Sequence, residues 1–222
     1  MEVVRYYSPE IIKAFGETFY MMFLTLLISS LLGIPLGTYL YLIRPNSVME
    51  HKKVYLVLDV IVNVIRSFPF LVLMISVIPL TRLLTGSSLG TNAAVVPLSI
   101  SMVPEFARLI EQVLIEVDRG VIEMAEASGA TTLQVIIRVL YREARSGMIS
   151  SATMLCVSFI SYSTVAGLVG GGGIGDFAIR FGYYRYQPEI MIFTVVIIIL
   201  LVQVMQTIGR KLAQRLDKRI KN

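Results

Sequence analysis

Only one cysteine and one histidine occur in 222 residues. Cys156 sits inside an apolar run with no second thiol, so no disulfide can form within the chain. The lone His51 excludes a histidine-rich metal site. No internal repeat, low-complexity linker or soluble domain is visible. The glycine run Gly170-Gly171-Gly172-Gly173-Ile174-Gly175 lacks the Lys-Ser/Thr that completes a phosphate-binding loop, which excludes a nucleotide site there. No cofactor is expected on this chain.

What the sequence does have is apolar surface. It is 55% hydrophobic, with a mean hydropathy of +0.74. A soluble domain of this size needs far less, and a bilayer-embedded chain needs this much. Five spans are expected, at about 15–42, 54–80, 92–114, 148–168 and 190–207. The first two exceed the length needed to cross, which implies tilt or protruding ends. The first is too long for a cleavable signal, and acidic Glu10 and Glu17 flank its start. The expected fold class is an all-α membrane protein, one domain over 1–222, with five transmembrane helices and a polar hairpin over 119–147.

Basic residues set the orientation. Thirteen lie on one side: Arg44, Lys52, Lys53, Arg119, Arg138, Arg142, Arg145, Arg210, Lys211, Arg215, Lys218, Arg219 and Lys221. Five lie on the other: Arg5, Lys13, Arg82, Arg180 and Arg185. Arg66 and Arg108 fall within spans. This places the C-terminus and the hairpin in the cytoplasm and the N-terminus outside. The net charge of +5 is therefore a topology signal, and a nucleic-acid partner is not expected. Five helices are few for enclosing a solute pathway. A two-fold homodimer would supply ten, so a second copy is an expected partner.

The hairpin is the most informative stretch. Residues 121–128 are good helix formers. Gly129 follows where a left-handed turn ends a helix. Thr131 and Gln134 have the spacing of a capping box, so a second helix starts there. In it Leu133, Ile136 and Leu140 form one face, and Gln134, Arg138, Arg142 and Arg145 another. Two readings stand: a loop folded back on its own spans, or a docking knob for a soluble partner.

Glu123-Met124-Ala125-Glu126-Ala127-Ser128-Gly129 resembles the glutamate–alanine–alanine…glycine motif of bacterial importer permeases of the ATP-binding-cassette type. Met124 stands where the family has its second alanine, and Arg142 and Ser146 stand where it has prolines. The similarity extends over nearly the whole chain, through Val62-Asn63-Val64-Ile65-Arg66-Ser67-Phe68-Pro69-Phe70, Ile78-Pro79-Leu80-Thr81-Arg82 and Ala94-Val95-Val96-Pro97-Leu98. Within the family it looks most like the methionine-importing permeases. The resemblance implies a coupling helix that seats in an ATPase subunit, carried here by Glu123, Ala125, Glu126, Ala127, Gly129 and Arg138. It also implies an external substrate-binding protein, a pair of ATPase subunits, and ATP and Mg held by those subunits. This chain would then be no enzyme, and would sit in the bacterial inner membrane as a multi-pass protein.

Charges inside the membrane are costly and face a partner or an aqueous cavity. Asp59, Asn63 and Arg66 share a face of the second span, and Glu105, Arg108 and Glu111 share one on the third. Two readings stand for Arg66: an ion pair, with Glu105 as its partner, or a lining of the solute pathway. Pro69 and Pro104 are expected kinks, either pivots or static bends. Ser158, Ser161, Tyr162, Ser163 and Thr164 cluster in the fourth span, where hydroxyls bridge helices or line a polar path. The candidate path residues are Arg66, Pro69, Ser161, Tyr162 and Ser163.

Within the outer segment 170–189, the glycine run 170–175 reads as a flexible turn that lets backbone approach backbone at the mouth of the pathway. Tyr183, Tyr184 and Tyr186 follow as an interface belt or a surface for an external protein. The tail 208–222 reads as the cytoplasmic end of the last span, facing headgroups. The function expected is ATP-driven import of a small amino acid, methionine first, by alternating access. The competing reading is an autonomous secondary transporter or channel using Asp59 or Glu105. A membrane-anchored scaffold is a third.

Overall fold

The computed structural model describes residues 6–47 and 49–217. Arg5, Lys218, Arg219, Ile220 and Lys221, which entered the orientation and tail readings, lie outside the described residues.

The chain is helical along most of the described length. Helix α1 spans Ser8–Ile43, about 54 Å at 1.5 Å per residue. The expected span 15–42 lies inside it. It stops where Pro45 follows, and Asn46 turns the chain at φ +60°. Helix α2 spans Lys52–Ser67. Here the sequence reading needs correction. A single span over 54–80 was expected, but the chain bends by 103° between Lys52–Ser67 and α3, Phe70–Ser76. The cause is local: Pro69 has no N–H to donate and pushes the residue before it out of the helical region. Phe68 accordingly has ψ 131°. Helix α4, Ile78–Thr85, follows a second interruption at Val77 and ends on Gly86.

Helix α5, Thr91–Ile115, contains Pro97 and Pro104 without a break. Pro104 is thus a residue of a continuous helix, and only Pro69 marks a sharp turn. α5 is the central element. Leu98, Met102, Phe106, Ile110 and Leu114 form its buried stripe at fourfold spacing. α1 packs along it with a stripe of small residues: Thr18, Thr25, Ser29, Gly33 and Gly37 are all buried. In lipid there is little hydrophobic drive between helices, so close van der Waals approach must hold them. Gly37 shows how close it is: a Cβ there would come within 2.9 Å of the Ile110 Cβ and closer to the Ala107 carbonyl.

Helix α6, Arg119–Ala127, is followed by α7, Thr132–Leu168, an unbroken helical run whose residues Val135–Leu140 are π-helical. A short helix α8, Gly173–Phe177, leads into a second π-helical turn, Ala178–Tyr183. Helix α9, Pro188–Leu216, completes the described chain.

Side-chain ties sort the loops into two ends. At one end Arg119 donates to the Asn46 carbonyl at 3.1 Å. There too Arg145 donates to the Leu216 carbonyl at 2.9 Å and Ser146 to that of Ala213 at 3.0 Å. At the other, the Gly90 amide donates to the Gly170 carbonyl at 2.9 Å, and Tyr20 donates to Asn92 at 2.8 Å. The first end gathers the 44–51 turn, the hairpin and the end of α9.

Candidate functional site

The hairpin is built from caps. Asp118 accepts from the Gly120 amide at 2.7 Å and starts α6. At its other end the Gly129 amide donates to the Glu126 carbonyl at 2.9 Å and the Ala130 amide to that of Ala125 at 3.1 Å. That is the Schellman pattern, with Gly129 left-handed at φ +81°. The capping box is reciprocal: the Thr131 amide donates to Gln134 Oε1 at 2.9 Å, and the Gln134 amide donates to Thr131 Oγ1 at 3.4 Å.

The expected apolar face of the second helix holds at Leu140 and at half-buried Ile136 but fails at Leu133. Val135 and Leu140 are buried, while Leu133 is exposed. The π-helical turn explains this: i→i+5 bonding brings Val135 and Leu140 onto one side, which a period of 3.6 does not. The result leaves Met124, Leu133 and Ile137 exposed at 66%, 64% and 56%. They share the hairpin with exposed Glu123, Glu126, Ala127 and Arg138. Between the hairpin and the end of α1 lies a cleft of about 300 Å³ bordered by Tyr41, Arg44, Arg119, Glu123 and Glu126. At the positions where prolines were expected, Arg142 is exposed and Ser146 is tied to α9.

Inside the membrane layer the charges group differently from the sequence expectation. Arg108 donates to Glu111 Oε2 at 2.7 Å, to Asp59 and to Asn63 Oδ1 at 3.2 Å. Tyr55 donates to the other Glu111 oxygen at 3.0 Å, and Asn63 donates to Asp59 at 3.1 Å. This cluster clamps α2 to α5, and its Glu111 is 1% exposed. The pairing of Arg108 with Glu111 was legible. The pairing of Arg66 with Glu105 is overturned: no ion pair joins them among the described residues. Arg66 is exposed at the last turn of α2. Glu105 accepts from Ser158 Oγ at 2.9 Å.

The hydroxyl cluster of α7 divides. Ser163 and Thr164 donate back to the Ile160 carbonyl at 3.0 and 2.9 Å. Ser163 is buried and spent on its own helix, whereas Ser161 is exposed. Tyr162 stacks on Phe70, with ring centroids 4.9 Å apart. Pro69 lies at the helix break, beside a groove lined by Val60, Asn63, Val64, Ser67 and Phe68.

The outer segment is also corrected. Gly173 through Ala178 are buried rather than forming a loose turn. The Gly173 amide donates to Glu17 Oε2 and the Ile174 amide to Thr18 Oγ1, each at 2.8 Å, so α1 supplies the cap of α8. Arg180 pairs with Asp176 at 2.6 Å. Tyr183, Tyr184 and Tyr186 remain exposed.

Residues 29–222 match the family described as the binding-protein-dependent transport system inner membrane component. The chain belongs to that family. This permease is similar to a probable D-methionine transport system permease protein MetI of Vibrio cholerae serotype O1. The two are 46% identical over 212 residues, covering 96% of this chain and 94% of that one. The corresponding protein of Pasteurella multocida is 40% identical over 203 residues, covering 91% and 94%. Among solved structures, the MetNI methionine ABC transporter in an inward-facing conformation has a chain that superposes with a TM-score of 0.93. That chain is 33% identical, with 96% of this chain and 98% of that one covered.

The permease is thus a multi-pass inner-membrane protein. Of its candidate residues, the structure gathers Glu123, Ala125, Glu126, Ala127 and Gly129 on α6 and its turn, with Arg138 on the next helix. It stacks Tyr162 on Phe70, the residue after Pro69, leaves Arg66 and Ser161 exposed and buries Ser163. Sequence reasoning missed Asp118, Arg119, Tyr55 and Phe70. Asp118 carried a readable signal, an acidic residue just before a helix-forming stretch. The partners of the other three are distant in sequence and left no local trace.

Proposed function

We propose that this permease imports methionine across the inner membrane, driven by ATP hydrolysed on a separate pair of ATPase subunits. The observation that carries the substrate is the near full-length similarity to methionine permeases. The hairpin supports the coupling. It is a short, capped, rigid knob with exposed Met124, Leu133 and Ile137, and α7 runs from it into the membrane without interruption. A push on Glu123, Ala125, Glu126, Ala127, Gly129 or Arg138 therefore reaches the middle of the bundle through one helix. Two permeases bracket the path, an external binding protein delivers substrate, and closure of the ATPase pair moves the hairpins and switches access. The basic excess at the hairpin end supports a cytoplasmic hairpin and C-terminus. The chain itself carries out no chemistry, and ATP and Mg belong to the partner.

The test is reconstitution in liposomes. With ATPase and binding protein, labelled methionine accumulates only when ATP is supplied. Uptake by the permease alone, driven by a proton or sodium gradient, overturns the proposal in favour of a secondary transporter. No uptake in either preparation points to a scaffold.

A further inference from the structure

At the hairpin end a groove of about 420 Å³ opens between α7 and α9, and its two walls are unlike. Ser146, Ser150 and Thr153 line it from α7, and Gln206, Arg210 and Gln214 from α9. Its shape is fixed by contacts between the two helices. A Cβ on Gly209 would overlap Thr153, and Ser146 donates to the Ala213 carbonyl at 3.0 Å. The hydroxyls of the α7 wall are already engaged as donors. Ser150 donates to the Ser146 carbonyl at 3.1 Å and Thr153 to that of Ile149 at 2.8 Å. That wall therefore presents oxygen lone pairs. The α9 wall presents donors. Gln206, Arg210 and Gln214 recur at every fourth residue, on one stripe of the helix, and all three are exposed. Their side chains make no hydrogen bond or ion pair among the described residues.

The depth of the groove decides what can fill it. From Ile190 to Gly209 the last helix carries no charged residue, and about 20 helical residues cross the ~30 Å hydrocarbon core. Arg210 follows at once, so the groove opens where acyl chains give way to headgroups. Lys211 and Arg215, both exposed, add positive charge beside it. Asp217 is the only carboxylate that borders it among the described residues. Basic pockets between helices at this depth attract anionic headgroups. An occupant must bring an anion to the α9 wall and donors to the α7 wall. A glycerol headgroup does both, with its phosphodiester and its free hydroxyls. A choline headgroup has the phosphate, but it adds a compensating cation and has no donor.

We infer that this groove is a phospholipid site that selects an anionic headgroup with free hydroxyls, of the phosphatidylglycerol type. Arg210 takes the phosphate, for which its forked donors are suited. Gln206 and Gln214 stand one turn before and after it on the same stripe and donate to the same headgroup. The headgroup hydroxyls donate to Ser150 and Thr153. A lipid held there braces α7, the helix that carries the hairpin, against the last span. The site depends neither on the imported solute nor on which face of the membrane the hairpin end occupies.

Native mass spectrometry of the full-length permease tests it. The protein is stripped of lipid in detergent, then titrated with phosphatidylglycerol or phosphatidylcholine, and the lipid-bound fraction is read. Wild type holds phosphatidylglycerol more tightly, and equal retention of the two lipids overturns the site. Arg210→Gln weakens phosphatidylglycerol binding about tenfold, the loss expected for one charge-assisted hydrogen bond. Lys211→Gln removes the same charge from a position that does not line the groove, and most of the binding remains. Equal losses in these two variants mean general surface attraction and overturn the site. Ser150→Leu fills the α7 wall and lowers binding with every basic residue in place. Wild-type binding in both Arg210→Gln and Ser150→Leu overturns the inference, and is the outcome expected if a second copy or the chain's own tail covers the groove. Inorganic phosphate at the same concentration leaves the lipid bound. Displacement by it makes the groove a free-anion site and overturns the lipid assignment.

Discussion

Arg108 and Arg66 lie on neighbouring helices, both within the membrane layer, and have opposite surroundings. Arg108 is closed in: its two terminal nitrogens bind two carboxylates and an amide oxygen, a tyrosine binds one of those carboxylates, and only its buried Nε is left without a partner. Arg66 is open, with no carboxylate at bonding distance, although Glu105 stands on the facing helix. The difference teaches that a charge in a membrane protein is structural when its partners come from its own fold. It becomes available for function when the fold withholds them. The helix break decides which case applies. Asp59 and Asn63 lie on the continuous part of α2, alongside α5. Arg66 lies at the turn before the chain swings away by 103°.

The comparison can be broken most sharply at its closed member. Arg108→Leu leaves Glu111 buried without a counter-charge, which costs about 3–5 kcal/mol. A large drop in the thermal midpoint of the detergent-purified permease is the expected outcome, and an unchanged midpoint would dissolve the distinction. The open member should behave in the reverse manner. Arg66→Ala leaves the midpoint and the assembly with ATPase unchanged and lowers methionine uptake about tenfold. Normal transport by that variant sinks its role in the path.

The hairpin is a second closed cluster, held by its own caps, and the same logic extends to it with smaller effects. Gly129→Ala forces a side chain into the left-handed region at a cost of about 1 kcal/mol. Uptake should fall relative to ATP hydrolysis, because the knob is displaced while the membrane helices are untouched. Gln134→Ala removes one half of the capping box and costs about 0.5–1 kcal/mol, read as faster amide exchange at Thr131.

The smallest effect belongs to a solvent-exposed closed pair. The Asn46 amide, and then Lys52, hold the Glu50 carboxyl below its ordinary value of 4.5. A depressed carboxyl adds stability above the unfolded value and loses it as pH falls through the lower folded value. Protection of the Asn46 amide should therefore persist at neutral pH and disappear only in acid below 4.5. Glu50→Gln should remove that pH dependence.

Much of the fold was legible because bilayer physics writes itself into composition. Long apolar runs located the helices, and the Gly129 turn and the Thr131–Gln134 cap were read correctly, since caps depend on residues within a few positions. Three features were not legible. The break at Pro69 looked the same in sequence as Pro104, yet α5 absorbs its proline within a packed helix while α2 turns at its own. The glycine run looked loose, but Glu17 and Thr18, 156 residues away, cap it and bury it. On the second hairpin helix Leu133 was misassigned to the apolar face and Val135 was missed, because a π-helical turn changes the period.

Sequence alone thus determined an inner-membrane helical protein with a capped polar hairpin, because hydropathy, helix propensity and caps act over a few residues. Which charges pair and which stay open was decided only by tertiary structure. Pairing across helices depends on where α2 ends and which face α5 turns toward it, and neither is set by spacing along one helix.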